Sequence, residues 1–107
     1  MLDNLKRALD GTGLPFAHHA WATDSMRQHD HGVYAEDADN SLFANGKHAE
    51  RVIQGSIDYF TRDDSGAAKT TIEAALDSIN IAWYLQSIQY EDDTGFIHYE
   101  WIFEDVS

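Results

Sequence analysis

Apolar residues recur along this chain in two different periods, and the change from one period to the other marks its elements. Leu2, Leu5 and Leu9, with Ala8 beside them, repeat at three and four residues, which predicts a short helix closed by Gly11 and Gly13. Pro15 follows, so residues 14–21 read as an extended segment that tolerates proline near its start, as an edge strand does. Residues 23–31 show neither period and are polar throughout, predicting an exposed loop before a short strand over 32–36. Asn45-Gly46 marks a further turn.

The second half is more sharply patterned. In 50–62, Ile53, Ile57 and Tyr59 fall on one face of a strand and Gln54, Ser56 and Asp58 on the other, with Gly55 marking a bulge or a close backbone approach. Asp63-Asp64-Ser65-Gly66 offers capping oxygens and negative charge to a second helix, whose stripe is Ala68, Ile72, Ala75, Leu76 and Ile79. A strand opening at Ile81 turns at 91–95 and returns with Ile97, Tyr99, Trp101 and Phe103 on one face and His98, Glu100 and Glu104 on the other. A slip of one residue would bury carboxylates, so this register is strongly specified. The order of elements predicts one α+β domain over 1–107, a mostly antiparallel sheet of about five strands with two helices packed on one face.

Composition narrows the function more than the fold. Seven Lys and Arg stand against 19 Asp and Glu, a formal net charge of -12, and such a surface repels a phosphate backbone. Specific nucleic-acid binding is not expected. The acids run from Asp3 to Asp105 rather than in one block, as on the solvated faces of folded elements. There is no cysteine, which removes disulfides, thiolate metal sites and a cysteine nucleophile. No apolar stretch approaches the roughly 20 residues of a membrane span, and residues 1–7 do not resemble a signal peptide, so neither insertion nor export is expected.

Candidate chemistry is sparse. His29-Asp30-His31 places two imidazoles on one side of an extended chain, where His18 or His19 would complete a metal site, but a loop provides no rigid frame; neither metal nor cofactor is expected. Asp92 with Asp93, or Glu100 with Glu104, forms a nominal acid/base pair, yet the first suits a turn and the second an outward strand face that leaves it solvated. The serines lack a nucleophile-elbow sequence and no phosphate-binding glycine loop is present, so no enzymatic activity is expected. Trp83, Tyr84, Tyr99, Trp101 and Phe103 read as core. What remains is contact chemistry. Met26, Arg27, His29 and His31 in one loop, Phe43 and Lys47 in a second, and the basic Arg51 and Arg62 suit a charge-complementary interface on an acidic subunit.

Several motifs resemble the tail-completion or tail-terminator proteins at the head-tail joint of long-tailed bacteriophages. Gly13-Leu14-Pro15-Phe16-Ala17 is similar to the family's Gly-x-Pro-apolar-Ala approach to the first strand, and Gly32-Val33-Tyr34 to its short second strand. Asn40-Ser41-Leu42-Phe43-Ala44-Asn45-Gly46 resembles the loop before the long third strand. The most specific stretch is Ile57-Asp58-Tyr59-Phe60-Thr61-Arg62-Asp63-Asp64, similar to the family's apolar-acidic-apolar-aromatic-Thr segment. His29-Asp30-His31-Gly32 stands where many relatives carry prolines, so the shape of that loop does not carry over.

The resemblance implies a virion protein of the tail or neck, made in the bacterial host cytoplasm. It implies a homo-oligomeric ring, typically a hexamer, that caps the tail tube, ends its polymerisation and docks the tail to the head-completion or connector protein. DNA passes through such a ring, and an acidic lumen would repel it. The rival expectation is a small acidic bacterial binding or adaptor domain using the His-rich loop 23–31 for a metal or ligand.

Overall fold

The computed structural model describes residues 2–21, 27–39 and 52–106. Its elements are α1 (Asp3–Asp10), β1 (Phe16–His18), β2 (His31–Asp39), β3 (Val52–Thr61), α2 (Ala67–Asp77), β4 (Ala82–Tyr90) and β5 (Ile97–Val106). The strands form one five-stranded sheet in the order β1-β2-β3-β5-β4. Every pairing is antiparallel except β1 with β2, so the sheet is mostly antiparallel, as the pattern predicts. Among the described residues no helix is long and apolar enough to cross a membrane.

The period-two pattern becomes one buried sheet face. In successive cross-strand rows, Tyr34, Ile57, Trp101 and Leu85 lie opposite one another, as do Tyr59 and Tyr99 in the neighbouring row. Leu2, Leu5 and Leu9 of the α1 segment and Ile72 and Leu76 of α2 share a single apolar cluster with these residues, which puts both helices on this face. Trp101 is fully buried, and its indole Nε1–H donates to Glu73 Oε2 at 3.0 Å, while Lys69 Nζ holds the other oxygen of that carboxylate at 3.0 Å. Trp83 Nε1–H donates to Asp77 Oδ1 at 2.9 Å. These polar ties seat α2 over β5 and β4, because a buried indole N–H needs an acceptor.

Gly55 resolves to a close approach. A Cβ there would sit 2.2 Å from the Ala35 carbonyl oxygen and 2.6 Å from the Phe103 ring, so β2 and β3 pair at this point only without a side chain. The irregularity of register falls on β2, between Glu36 and Ala38.

Three local expectations are corrected. The extended segment at 14–21 contracts to three strand residues, which run parallel to β2 with the Pro15 carbonyl accepting from Gly32 N–H at 2.8 Å. The start of α2 carries no side-chain cap. Gly66 holds that position with φ 83, a left-handed conformation that glycine adopts without strain. Asp63 Oδ1 instead accepts from Ser65 N–H at 2.9 Å, and Ser65 Oγ from Ala67 N–H at 3.3 Å, so the oxygens shape the loop leading to the helix. Backbone and side-chain hydrogen bonds from Ser65 hold the Asp63 carboxyl below its usual range. Finally, Tyr84 is 56% exposed rather than part of the core.

Candidate functional site

Four residues expected at an interface, Met26, Phe43, Lys47 and Arg51, lie outside the described residues. Of the others, Arg27 and His29 are exposed. His31 is buried, whereas Arg62 is exposed but hydrogen-bonded to its neighbours. His31 is 5% exposed, stacked on Phe60 at 4.7 Å between ring centroids, and its Nδ1–H donates to the His29 carbonyl at 2.7 Å. A ring nitrogen facing a carbonyl must carry the proton, so that contact sets the tautomer. Arg62 ties three segments together. Its Nη1 donates to the Gln28 carbonyl at 2.8 Å and its Nε to the Thr94 carbonyl at 3.0 Å, and the guanidinium lies 4.0 Å over the Phe96 ring. Asp30 completes the tie by accepting from Arg62 N–H at 3.1 Å and from Thr61 Oγ1 at 2.6 Å. The Asp30 charge and, above all, burial push the neighbouring Tyr59 phenol up to about 12, keeping it neutral.

His31 does not converge with His18 or His19. Gly32 and Tyr34 pair with Phe16 and His18 on the helix-covered face, so His31, one residue before Gly32, points to the other face. There it joins a row the sequence does not reveal. Phe60 is stacked between His31 and His98, its centroid 4.2 Å from that of His98. His98 Nε2 meets Asp58 Oδ1 at 2.7 Å, and this bond raises the His98 pKa above 6.5 against the opposing effect of burial. Asp92 and Asp93 are exposed in the turn and Glu104 is exposed on β5, whereas Glu100 lies opposite Asp58 and its charge adds to the raising of the His98 pKa.

The most unusual surface is the β4 edge. This strand, Ala-Trp-Tyr-Leu-Gln-Ser-Ile-Gln-Tyr, has nine residues without a charge or a proline, in a chain in which 24% of residues are charged. Among the described residues only β5 pairs with it, so its other row of backbone groups faces away from that partner. Gln86 is an extra residue between Leu85, opposite Trp101, and Ser87, opposite Glu100. The bulge reverses the facing of everything after it, placing Ile88 and Tyr90 opposite Tyr99 and Ile97. They share the apolar side of the sheet but remain 53% and 66% exposed. Tyr84 emerges on the opposite side, beside an open groove of about 280 Å³ lined also by Gln54, Ala82, Ile102 and Glu104. The three large apolar side chains exposed among the described residues are therefore all on this strand.

Compared with protein-family models and with curated protein sequences, the chain matches none. The functional reading therefore rests on the surfaces themselves.

Proposed function

We propose that this protein is a structural assembly subunit whose copies join along the β4 edge, and that the assembly is the ring at a phage head-tail joint that the motif resemblance implies. One observation carries the reading: a nine-residue outer strand with no charge, no proline and three exposed large apolar side chains. Folded proteins ordinarily guard such edges with lysine, proline or very short strands, because an open edge templates pairing with another chain. Here a single bulge is the guard. The occupant is a second copy, since a net charge of -12 disfavours indiscriminate association while an uncharged strip permits one close approach. A ring requires a head-to-tail contact, so β4 of one copy meets a different surface of the next.

In this reading the neighbours in the virion are the tail tube protein and the head connector, the ring ends tube growth, and no catalysis is involved. The rival, a metal- or ligand-binding domain built on the His-rich loop, draws less support because His31 is buried beneath Phe60 and Phe96 rather than offered to a ligand.

The test is size and shape in solution. Light scattering and native mass spectrometry across a concentration series are expected to show a closed oligomer, and negative-stain microscopy a ring with a central opening. Ile88→Lys with Tyr90→Lys should return it to monomer with an unchanged circular dichroism spectrum. A wild-type chain that stays monomeric at every concentration defeats the proposal, and a two-fold dimer defeats its ring form.

A further inference from the structure

The opposite edge of the sheet holds a cluster of different chemistry. In a regular strand His18 and His19 would point to opposite faces. They do not, because His19 has φ 70, a left-handed conformation uncommon outside glycine. Its N–H is held by the Tyr34 carbonyl at 2.9 Å, just past the end of β1. The turn brings the second imidazole back beside the first, and the two rings stack at 4.0 Å between centroids. Tyr34 stacks on the other side of His18 at 4.8 Å.

Both rings address one oxygen. His18 Nε2 lies 2.6 Å and His19 Nε2 3.3 Å from Glu36 Oε1, and the three groups offer ligand atoms that all lie within 4.8 Å of one another. We propose that His18, His19 and Glu36 bind a divalent first-row transition ion of the Zn²⁺ type, held by two imidazole nitrogens and one carboxylate oxygen.

Two of the three ligand separations lie near the spacing such an ion needs, and the third, between atoms within 4.8 Å, would have to close toward it. Zn–N bonds of 2.0–2.1 Å in a tetrahedron place neighbouring ligand atoms about 3.3 Å apart. The His19–Glu36 separation already has this value, and the His18–Glu36 hydrogen bond needs to open by less than an ångström. Imidazole with carboxylate is a borderline donor set, which suits zinc and its neighbours better than calcium or magnesium.

Strength of folding does not account for the cluster. The side chains of His18, His19 and Glu36 are 42%, 62% and 31% exposed, and ion pairs so open to water contribute little to stability. A left-handed backbone retained at such a place is the sort of strain found at ligand sites. The same exposure makes the ion exchangeable and leaves a fourth coordination position to water. Beside the cluster is a shallow cleft of about 150 Å³ lined also by Leu2, Asp3 and Lys6. Asp3 adds a carboxylate to that cleft, and the Lys6 ammonium is drawn aside to Asp10 at 2.9 Å.

Zinc chloride titrated into the chelator-treated full chain in an isothermal calorimeter tests the site. The expected result is saturable binding of one ion per chain, with cobalt giving a visible absorption band at the same stoichiometry. His18→Ala and Glu36→Gln should each weaken binding by at least the ~10–100-fold that even an outer-shell partner contributes. His19→Asn keeps a residue that tolerates the left-handed backbone and is expected to weaken it as much. His29→Ala should leave the affinity unchanged. Circular dichroism of each variant checks the fold. Absence of saturable binding to the wild type overturns the proposal, as does binding that survives in the His18→Ala/His19→Asn double variant or is lost in His29→Ala.

Discussion

The two edges of the sheet differ in nearly every respect that governs contact. The β1 edge has three strand residues, is preceded by Pro15, and ends at a backbone turned left-handed at His19. The β4 edge has nine residues and is broken only by the Gln86 bulge. The first is too short to template another strand and places imidazoles and a carboxylate at its end. The second is long, uncharged and apolar. A sheet must leave two edges unless it closes into a barrel, and here one is protected while the other is offered. The protected edge is free to hold polar ligand atoms. The offered edge suits a neighbouring copy.

The largest expected effect comes from breaking the frame both edges share. Trp101 is fully buried and tied to Glu73, so Trp101→Ala is expected to cost about 3–5 kcal/mol in a urea titration. Both edges should lose their properties together. If association survives such a loss, the β4 edge does not depend on the folded sheet.

A smaller and more selective break is Gly55→Ala. The added methyl meets the Ala35 carbonyl of β2 at 2.2 Å and the far end of the Phe103 ring of β5 at 2.6 Å; the backbone carbonyl is the less able to give, and overpacking of this kind costs about 1–3 kcal/mol. Hydrogen exchange should quicken in β1 and β2 before it does in β4 and β5. Uniform acceleration would mean that the two halves do not open separately.

On the β4 edge alone, Ile88→Lys is expected to change folding stability by only about 0.5 kcal/mol, because the side chain is 53% exposed. Its effect on association should be far larger. Equal effects on both quantities would place Ile88 in the core and weaken the contrast between the edges.

The smallest effect is a pH dependence between the edges, on the helix-free face. The hydrogen bond to Asp58 raises the His98 pKa in the folded state above its ordinary 6.5. Folding then favours the protonated ring, so the contribution is full below 6.5 and is lost as pH rises through the higher folded value. Wild-type stability should fall relative to His98→Gln between about pH 6 and 8. A difference that grows with pH would reverse the assignment.

Much of this architecture was legible from periodicity. The faces of β3 and β5 followed from strict alternation, and the buried stripes of α1 and α2 followed from helical spacing. Gly55 announced its close approach because few other reasons put glycine in such a strand. The β4 edge was harder to read. Its apolar run suggests core, Tyr84 included, because hydrophobic pattern says which residues avoid water without saying how many neighbours a strand will have. The absence of charge over 82–90 was the available signal. Arg62 reads from the sequence as a surface cation, and it is exposed, but only the fold shows that the carbonyls of Gln28 and Thr94 hold its guanidinium.

The amino-acid sequence by itself determined the order of helices and strands, the face each one buries, and the acidic balance that disfavours nucleic acid as a partner, because these depend on nearest neighbours and on sums over residues. Only the tertiary structure decided which strands became edges, that β1 runs parallel to β2, that a bulge at Gln86 turns Ile88 and Tyr90 toward the apolar side, and that Glu36 meets His18 across 18 positions of chain. Those outcomes depend on partners distant in sequence, and on single backbone angles such as that of His19, which no local pattern encodes.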